Sequence, residues 1–317
     1  SGGAHSSYVA KGFAYVTDDA TGSVRVIDIR DPYHPREAGR WEAQQTSAGR
    51  YVHDVMVVDG LAYLSYWNDG LIILDVGNGI KGGTPEKPVL VSQFKYDLSR
   101  LYSRVEELYG LGARGTHTAW RHKNYVFIAD EVFPASQVAG AKDASAGRAY
   151  GRLQVIDVSN IEQPKSVAWY EPEYGGVHNV WVAGDTLYMG AYNAGFRAFD
   201  ISGELMGDLR AQQREMVHVN TADMEGTVGG RNTAMTWGVV VRDGLAYVND
   251  DNNVNDNDHI AADNDDTAAA DNDDTAAADN DHIAADNDHI AADNDHIAAA
   301  AANAASDAVV QRPHQGT

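Results

Sequence analysis

Short apolar runs separated by tight polar turns fill the first 249 residues and recur in one frame. His53-Asp-Val-Met-Val-Val-Asp-Gly-Leu-Ala-Tyr63 aligns with His178-Asn-Val-Trp-Val-Ala-Gly-Asp-Thr-Leu-Tyr188. The same frame fits His117 to Phe127, Trp237 to Tyr247 and, more loosely, His5 to Tyr15. Each segment carries an aromatic residue ten positions after its first. Its two apolar halves flank a turn such as Asp59-Gly60, Lys123-Asn124, Gly184-Asp185 or Asp243-Gly244. Two apolar runs around a two-residue Asp/Gly turn predict a β-hairpin, because these residues tolerate the positive φ that such turns require.

A third apolar run follows at 23–29, 71–76, 153–158 and 196–201, each with an aspartate next to last: Asp28, Asp75, Asp157 and Asp200. A proline-marked turn comes after it in three copies, then a fourth run, clearest at 89–94 and 166–170. Where no insertion intervenes, the repeat is 47 residues (Asp28 to Asp75) or 43 (Asp157 to Asp200). Four short strands at that period predict an all-β fold, a β-propeller of four-stranded blades with helical and loop insertions. One blade cannot bury its own faces, so its neighbours must supply the core. In the second unit the strands are expected near 53–58, 61–67, 71–76 and 89–94. Residues 1–249 encode four full blades and half of a fifth.

The run Leu71-Ile-Ile-Leu-Asp75, with the Asp69-Gly70 turn before it and proline after it, resembles the LVIVD-repeat family of bacterial β-propeller proteins. The likeness covers residues 8 to 249. The segments 200–209 and 236–244 are similar to the closing portion of a secreted subgroup, whose members continue into a Ser-Gly-Leu-Trp strand. This chain departs from them after Val248-Asn249-Asp250. The resemblance implies architecture and an exported location, and it carries little chemistry.

The insertions add detail. Residues 97–109 place Leu98, Leu101, Tyr102, Val105, Leu108 and Tyr109 on one stripe, which predicts a helix. Residues 203–215, with Leu205 and Leu209 among charged neighbours, predict a weaker one. The segments 135–151 and 221–233 read as loops. If the His-led strand is innermost, segments 97–116, 134–150 and 220–235 emerge on one face, and 77–88 and 203–215 on the other. Long connections on a rigid scaffold favour the first face as the place for a protein or small-molecule ligand.

Charge changes the picture only at the C-terminal end. Residues 250–317 hold 17 acidic residues and one basic residue, Arg312, out of a net charge of −22 for the 317-residue chain. This tail repeats Asp-Asn-Asp-His-Ile-Ala-Ala and Asp-Asn-Asp-Asp-Thr-Ala-Ala-Ala in tandem. One reading is a solvated low-complexity segment; a second is a weak multivalent calcium site built from Asp-x-Asp oxygens. A third is that its strands complete the propeller and its letters do not report the real side chains, since the copies show no drift. The folded part carries no basic surplus, which excludes nucleic acid as a partner. No apolar run reaches transmembrane length. The absence of cysteine removes disulfides and thiol chemistry without fixing the compartment. A first residue other than methionine adds to the expectation of a secreted, periplasmic or cell-surface protein.

Four histidines, His5, His53, His117 and His178, share the first position of the innermost strand, with Trp237 in the fifth slot. The fold brings them to one mouth of the central channel, where neutral imidazoles can hold a transition metal and Trp237 can wall the site. The alternative is that each simply bonds a neighbouring blade. Asp130 and Glu131, before the long loop of the third unit, are additional oxygen ligands on that face. The four repeated aspartates read as turn caps and Tyr15, Tyr63, Phe127, Tyr188 and Tyr247 as core. No nucleophile elbow, P-loop or dinucleotide fingerprint is present. Two functions follow: an exported binding or scaffold module, or a metal-dependent enzyme, for example an oxidoreductase, using the channel histidines.

Overall fold

Strands β1 to β4 (Ala4–Ala10, Phe13–Asp18, Ser23–Asp28, Arg36–Glu42) form an antiparallel sheet in chain order. This computed structural model describes residues 3–18, 20–44, 52–109, 111–134, 149–173, 175–219 and 236–250. The second sheet repeats the order with β5 to β8 (Asp54–Val58, Leu61–Ser65, Leu71–Asp75, Val89–Phe94). Helices α1 (Leu98–Leu101) and α2 (Ser103–Tyr109) then lead into β9 (Leu111–His122), β10 (Tyr125–Pro134), β11 (Leu153–Asp157) and β12 (Lys165–Tyr170). The fourth sheet holds β13 (Val180–Ala183), β14 (Thr186–Gly190) and β15 (Phe196–Asp200). The short β16 (Gly207–Asp208) follows, and β17 (Glu215–Val219) is the fourth sheet's outer strand. Strands β18 (Thr236–Arg242) and β19 (Leu245–Asp250) pair as a two-stranded sheet. The innermost strands touch in succession, β1 with β5, β5 with β9, β9 with β13 and β13 with β18. The molecule is a β-propeller built of four-stranded blades. Residues 135–148 of the loop expected over 135–151, the loop expected over 221–233 and the tail from 251 lie outside the described residues, and with them the closing strands and the calcium reading.

Packing explains the hydrophobic pattern. Both central strands of the second blade, β6 and β7, are buried at every position, because a blade covers each of their faces. The core therefore lies between blades rather than within them. Phe13, Tyr15, Val26, Val55, Leu64 and Leu74 fill the space between the first and second. Tyr63, Ile73, Val126 and Ile156 fill that between the second and third, and Phe127, Val155, Leu187 and Phe199 that between the third and fourth. The hairpin turns Lys11-Gly12, Asp59-Gly60 and Asp243-Gly244 take positive φ at both central residues, the conformation whose twist matches the strands.

The repeated aspartates cap turns. Asp28, Asp157 and Asp200 each accept the backbone N–H two residues on, from Arg30, Ser159 and Ser202. Asp75 goes further. Its Oδ1 accepts from the N–H groups of Gly77, Asn78 and Gly79 at 2.8–3.1 Å, and its Oδ2 from Lys81 and Gly83 at 2.7 and 3.1 Å. The loop closes so tightly that a Cβ on Gly83 would lie 1.9 Å from the Asp75 carbonyl oxygen. Replacing Gly83 by alanine is thus expected to lower the thermal midpoint by several degrees, read by circular dichroism melting; an unchanged midpoint would contradict this account.

One expectation is corrected. Residues 203–215 form no helix: β16 pairs in parallel with β12 of the preceding blade, and a turn leads on to β17. Gly203 and Gly207 adopt φ of 69°, which breaks any helical path. Leu205 and Leu209, spaced as on a helix, are instead both drawn into the core between the third and fourth blades.

Candidate metal centre in the central channel

Near the first position of the innermost strand the pairing is irregular in three of the five sheets. Register shifts fall between Ala4 and Ser7 in the first blade, beside His117 in the third and between Thr236 and Val239 in the fifth sheet. Bulges of this kind re-aim a side chain, and in all four full blades the histidine and the residue after it both line the channel. The result is a row rather than a point. Ring centroids are 4.1 Å apart for His5 and His53, 3.8 Å for His53 and His117 and 4.0 Å for His117 and His178. Trp237 continues the row at 5.2 Å from His178.

The hydrogen bonds define the tautomers. Nδ1 of His53 lies 3.1 Å from the backbone carbonyl of His117, and Nδ1 of His178 lies 3.2 Å from that of Trp237. Nδ1 of His117 lies 2.9 Å from Oγ1 of Thr118, which itself donates to Asn179 Oδ1 at 2.8 Å and so must accept. A carbonyl can only accept, hence the proton sits on Nδ1 and the lone pair on Nε2 in all three rings. A hydrogen bond from the far ring nitrogen is what fixes the orientation of metal-ligating imidazoles. His53 and His178 bond a neighbouring blade through Nδ1, His117 bonds Thr118 of its own strand, and all three leave Nε2 without a proton.

Glu131 closes the group. Its Oε2 lies 4.0 Å from His117 Nε2 and its Oε1 3.9 Å from His178 Nε2. Ligand atoms of His53, His117 and Glu131 all lie within 4.8 Å of one another. Two bonds of about 2.0–2.1 Å to one ion need donors roughly 4 Å apart or less, so small side-chain adjustments suffice. Burial, with the neighbouring rings adding to it, lowers His53 to about 3 and takes His117 well below the ordinary histidine value. Burial likewise lowers His178 to about 4. These imidazoles are neutral at pH 7, with lone pairs available. Burial raises Glu131 to about 6 against the opposing hydrogen bond from the Tyr192 hydroxyl.

The remaining candidates fall elsewhere. His5 stands exposed at the end of the row, outside the set of mutually close ligand atoms. Asp130 is corrected: it points away from the histidines, accepting from the hydroxyls of Tyr96 and Tyr102 and from Gln154 Nε2. There it holds the segment bearing α1 and α2 against the propeller, and burial raises it to about 7.

Sequence reasoning missed Tyr192 and Trp67. Counting from the start of the second strand, Trp67, Glu131 and Tyr192 occupy one slot in three successive blades. Trp67 and Tyr192 take φ of 39° and 47° there, and each meets a histidine edge-on: Trp67 with His53 at 5.2 Å, Tyr192 with His178 at 5.1 Å. Aligning that slot would have exposed the signal, a lone carboxylate where its neighbours are aromatic.

The LVIVD repeat matches residues 1–42 and 49–94. Among solved structures the chain is similar to the computationally designed Ika4 protein, at 12% identity over 63% of this chain and 91% of that one, with a TM-score of 0.39. It is similar to Sqt1 of Saccharomyces cerevisiae at 9% identity, covering 78% of this chain and 58% of that one, with a TM-score of 0.46. A protein from Lactobacillus plantarum matches at 11% identity over 75% and 63%, with a TM-score of 0.45. No curated protein matches the chain.

Proposed function

We propose that this β-propeller, which carries LVIVD repeats, is a metal-dependent enzyme holding one divalent first-row transition ion on His53, His117 and Glu131, with His178 on the far side of Glu131. One observation carries the reading: three neutral imidazoles from three blades share one protonation pattern, and a buried carboxylate lies among them. Imidazole and carboxylate together suit iron, cobalt, nickel, copper or zinc. Structural zinc sites are closed by four protein ligands, whereas catalytic ones keep a position open. Here the ligands line a cavity of about 970 Å³, which supports an open position and hence catalysis over a purely structural ion. The bound ion would act as a Lewis or redox centre; the chain's own residues would fix its geometry and exclude competing donors.

The test is direct. Purified protein, stripped with chelator and reloaded with cobalt(II), is expected to take up one ion per chain by elemental analysis and to show the visible bands of a nitrogen–oxygen site. Substoichiometric uptake without those bands would refute it. Tyr192, whose hydroxyl orients Glu131, is a positioning residue. Tyr192→Phe is expected to weaken cobalt binding roughly 10-fold and leave the stoichiometry at one. Unchanged affinity would remove Tyr192 from the centre.

The second reading, an exported binding or scaffold module, is favoured by the helical insertion that Asp130 fastens to the propeller, a ready-made surface for a partner. The LVIVD resemblance supports a secreted, periplasmic or cell-surface location for either function. Among the described residues no helix is long and apolar enough to cross a membrane. Fractionation of expressing cells would place the protein outside the cytoplasm; recovery only from the cytoplasm would contradict that location.

A further inference from the structure

We infer that Asp130 is a positioning residue for the metal centre: fastened to the helical insertion, it aims the neighbouring Glu131 into the channel and so couples insertion and centre. The inference deepens the metal reading and rests on it only for what Glu131 holds. The slot that Glu131 shares with Trp67 and Tyr192 explains why an anchor is needed. In the second and fourth blades the slot residue opens a tight turn. Gly70 N–H closes one onto the Trp67 carbonyl at 3.1 Å, and Gly195 N–H closes the other onto that of Tyr192 at 2.9 Å. The positive φ of Trp67 and Tyr192 belongs to those turns. Glu131 keeps a negative φ on a strand that runs on to Pro134, so no such turn fixes its direction.

Asp130 supplies the fixed point. Successive side chains leave an extended strand on opposite faces, so holding one directs the next. The Asp130 side chain is fully buried, accepting from the hydroxyls of Tyr96 and Tyr102 and from Gln154 Nε2. The Tyr102 hydroxyl itself accepts from Arg152 N–H at 3.0 Å, and Asp130 N–H donates to the Arg152 carbonyl at 2.9 Å. On the facing strand Thr116 stands opposite Asp130 and exchanges both backbone bonds with Trp67, each at 3.1 Å. That side is therefore pinned to the second blade. The residue skipped by the pairing between Thr116 and Thr118 is His117, so one bulge carries a ligand directly across from the anchor. A small apolar cluster, Leu98, Tyr102 and Val105 on Val132, seats the insertion. Tyr102 belongs to both the cluster and the anchor, so movement of the insertion passes to Asp130 and from there to Glu131. Such coupling is reciprocal: an ion that binds better when the insertion is seated must also seat the insertion more firmly.

Tyr102→Phe in the full chain tests this. In chelator-stripped protein the ring-nitrogen magnetic resonance signals of His117 are expected to shift, whereas Tyr33→Phe, in an exposed turn, leaves them in place. Cobalt(II) is expected to bind Tyr102→Phe about tenfold more weakly at an unchanged stoichiometry of about one. Loading wild type with cobalt is expected to slow amide hydrogen exchange across α1 and α2 about tenfold, a measurement that needs no variant. Asp75→Asn separates positioning from stability: it weakens a loop away from the channel and is expected to keep the wild-type cobalt affinity. Unmoved His117 signals and unchanged affinity in a Tyr102→Phe protein shown folded by circular dichroism would overturn the inference. An equal loss of affinity in Asp75→Asn would overturn it too. If Tyr102→Phe moves the His117 signals while wild type takes up no cobalt, the metal reading falls and the coupling stands. If wild type takes up one ion with no change in exchange across the helices and no dependence on Tyr102, the coupling falls and the metal reading stands.

Discussion

Replacing His117 by alanine is expected to abolish stoichiometric metal binding, with a loss larger than the roughly 10–100-fold that follows removal of an outer-shell partner. His117 is the centre of the row, 3.8 Å from His53 and 4.0 Å from His178 between ring centroids. It also faces Glu131 Oε2 across 4.0 Å, and with His53 and Glu131 it makes up the set of mutually close ligand atoms. Removal of the ring also deletes the bond from Nδ1 to Thr118, at a cost of about 0.5–1.5 kcal/mol, which should leave the protein folded. His5→Ala is the matched control. It lies outside the close set of ligand atoms and is expected to keep full cobalt uptake. Stoichiometric binding by a folded His117→Ala protein would end the proposal.

The second large effect is structural. Asp75→Asn is expected to cost about 3–5 kcal/mol at pH 7, because an amide nitrogen would face backbone N–H donors where an anionic oxygen now accepts them. Burial alone would raise this carboxyl, but the N–H groups of Lys81, Gly77, Gly79 and Gly83 outweigh burial and hold it well below the usual carboxylate range. A carboxylate depressed in the folded state stabilises the fold above its unfolded value of about 3.9 and loses that contribution as the pH falls towards the folded one. The gap in urea midpoint between wild type and Asp75→Asn should therefore be large at pH 7 and shrink below about pH 4. A gap independent of pH would show that the charge on Asp75 is not what the loop uses.

The blade repeat was legible because three signals coincide in it: two-residue turns, apolar runs and the aspartate that closes the third strand. Residues 203–215 misled because Leu205 and Leu209 keep a helical spacing while two glycines at positive φ route the chain along the third blade. The histidine row was legible from the frame, yet its geometry was not. Whether Asp130 or Glu131 reaches the channel depends on how the chain leaves β10, and the two letters alone do not distinguish them. Tyr192 and Trp67 were hidden for another reason: bulky aromatics rarely take positive φ, so only an alignment of their slot across the blades points to them.

The proton-fixing bonds of the histidines have a mechanical consequence. In a stack of repeats each unit feels only its neighbours, so blades can melt one after another from an open end. An ion held by side chains from positions as far apart as 53 and 131 would fasten the second blade to the third near the axis, where leverage against splaying is greatest. Chelated protein should therefore unravel in steps on heating. The loaded form should hold these two blades together until they give way in one concerted transition, its cooperativity set by the ion rather than by the repeat.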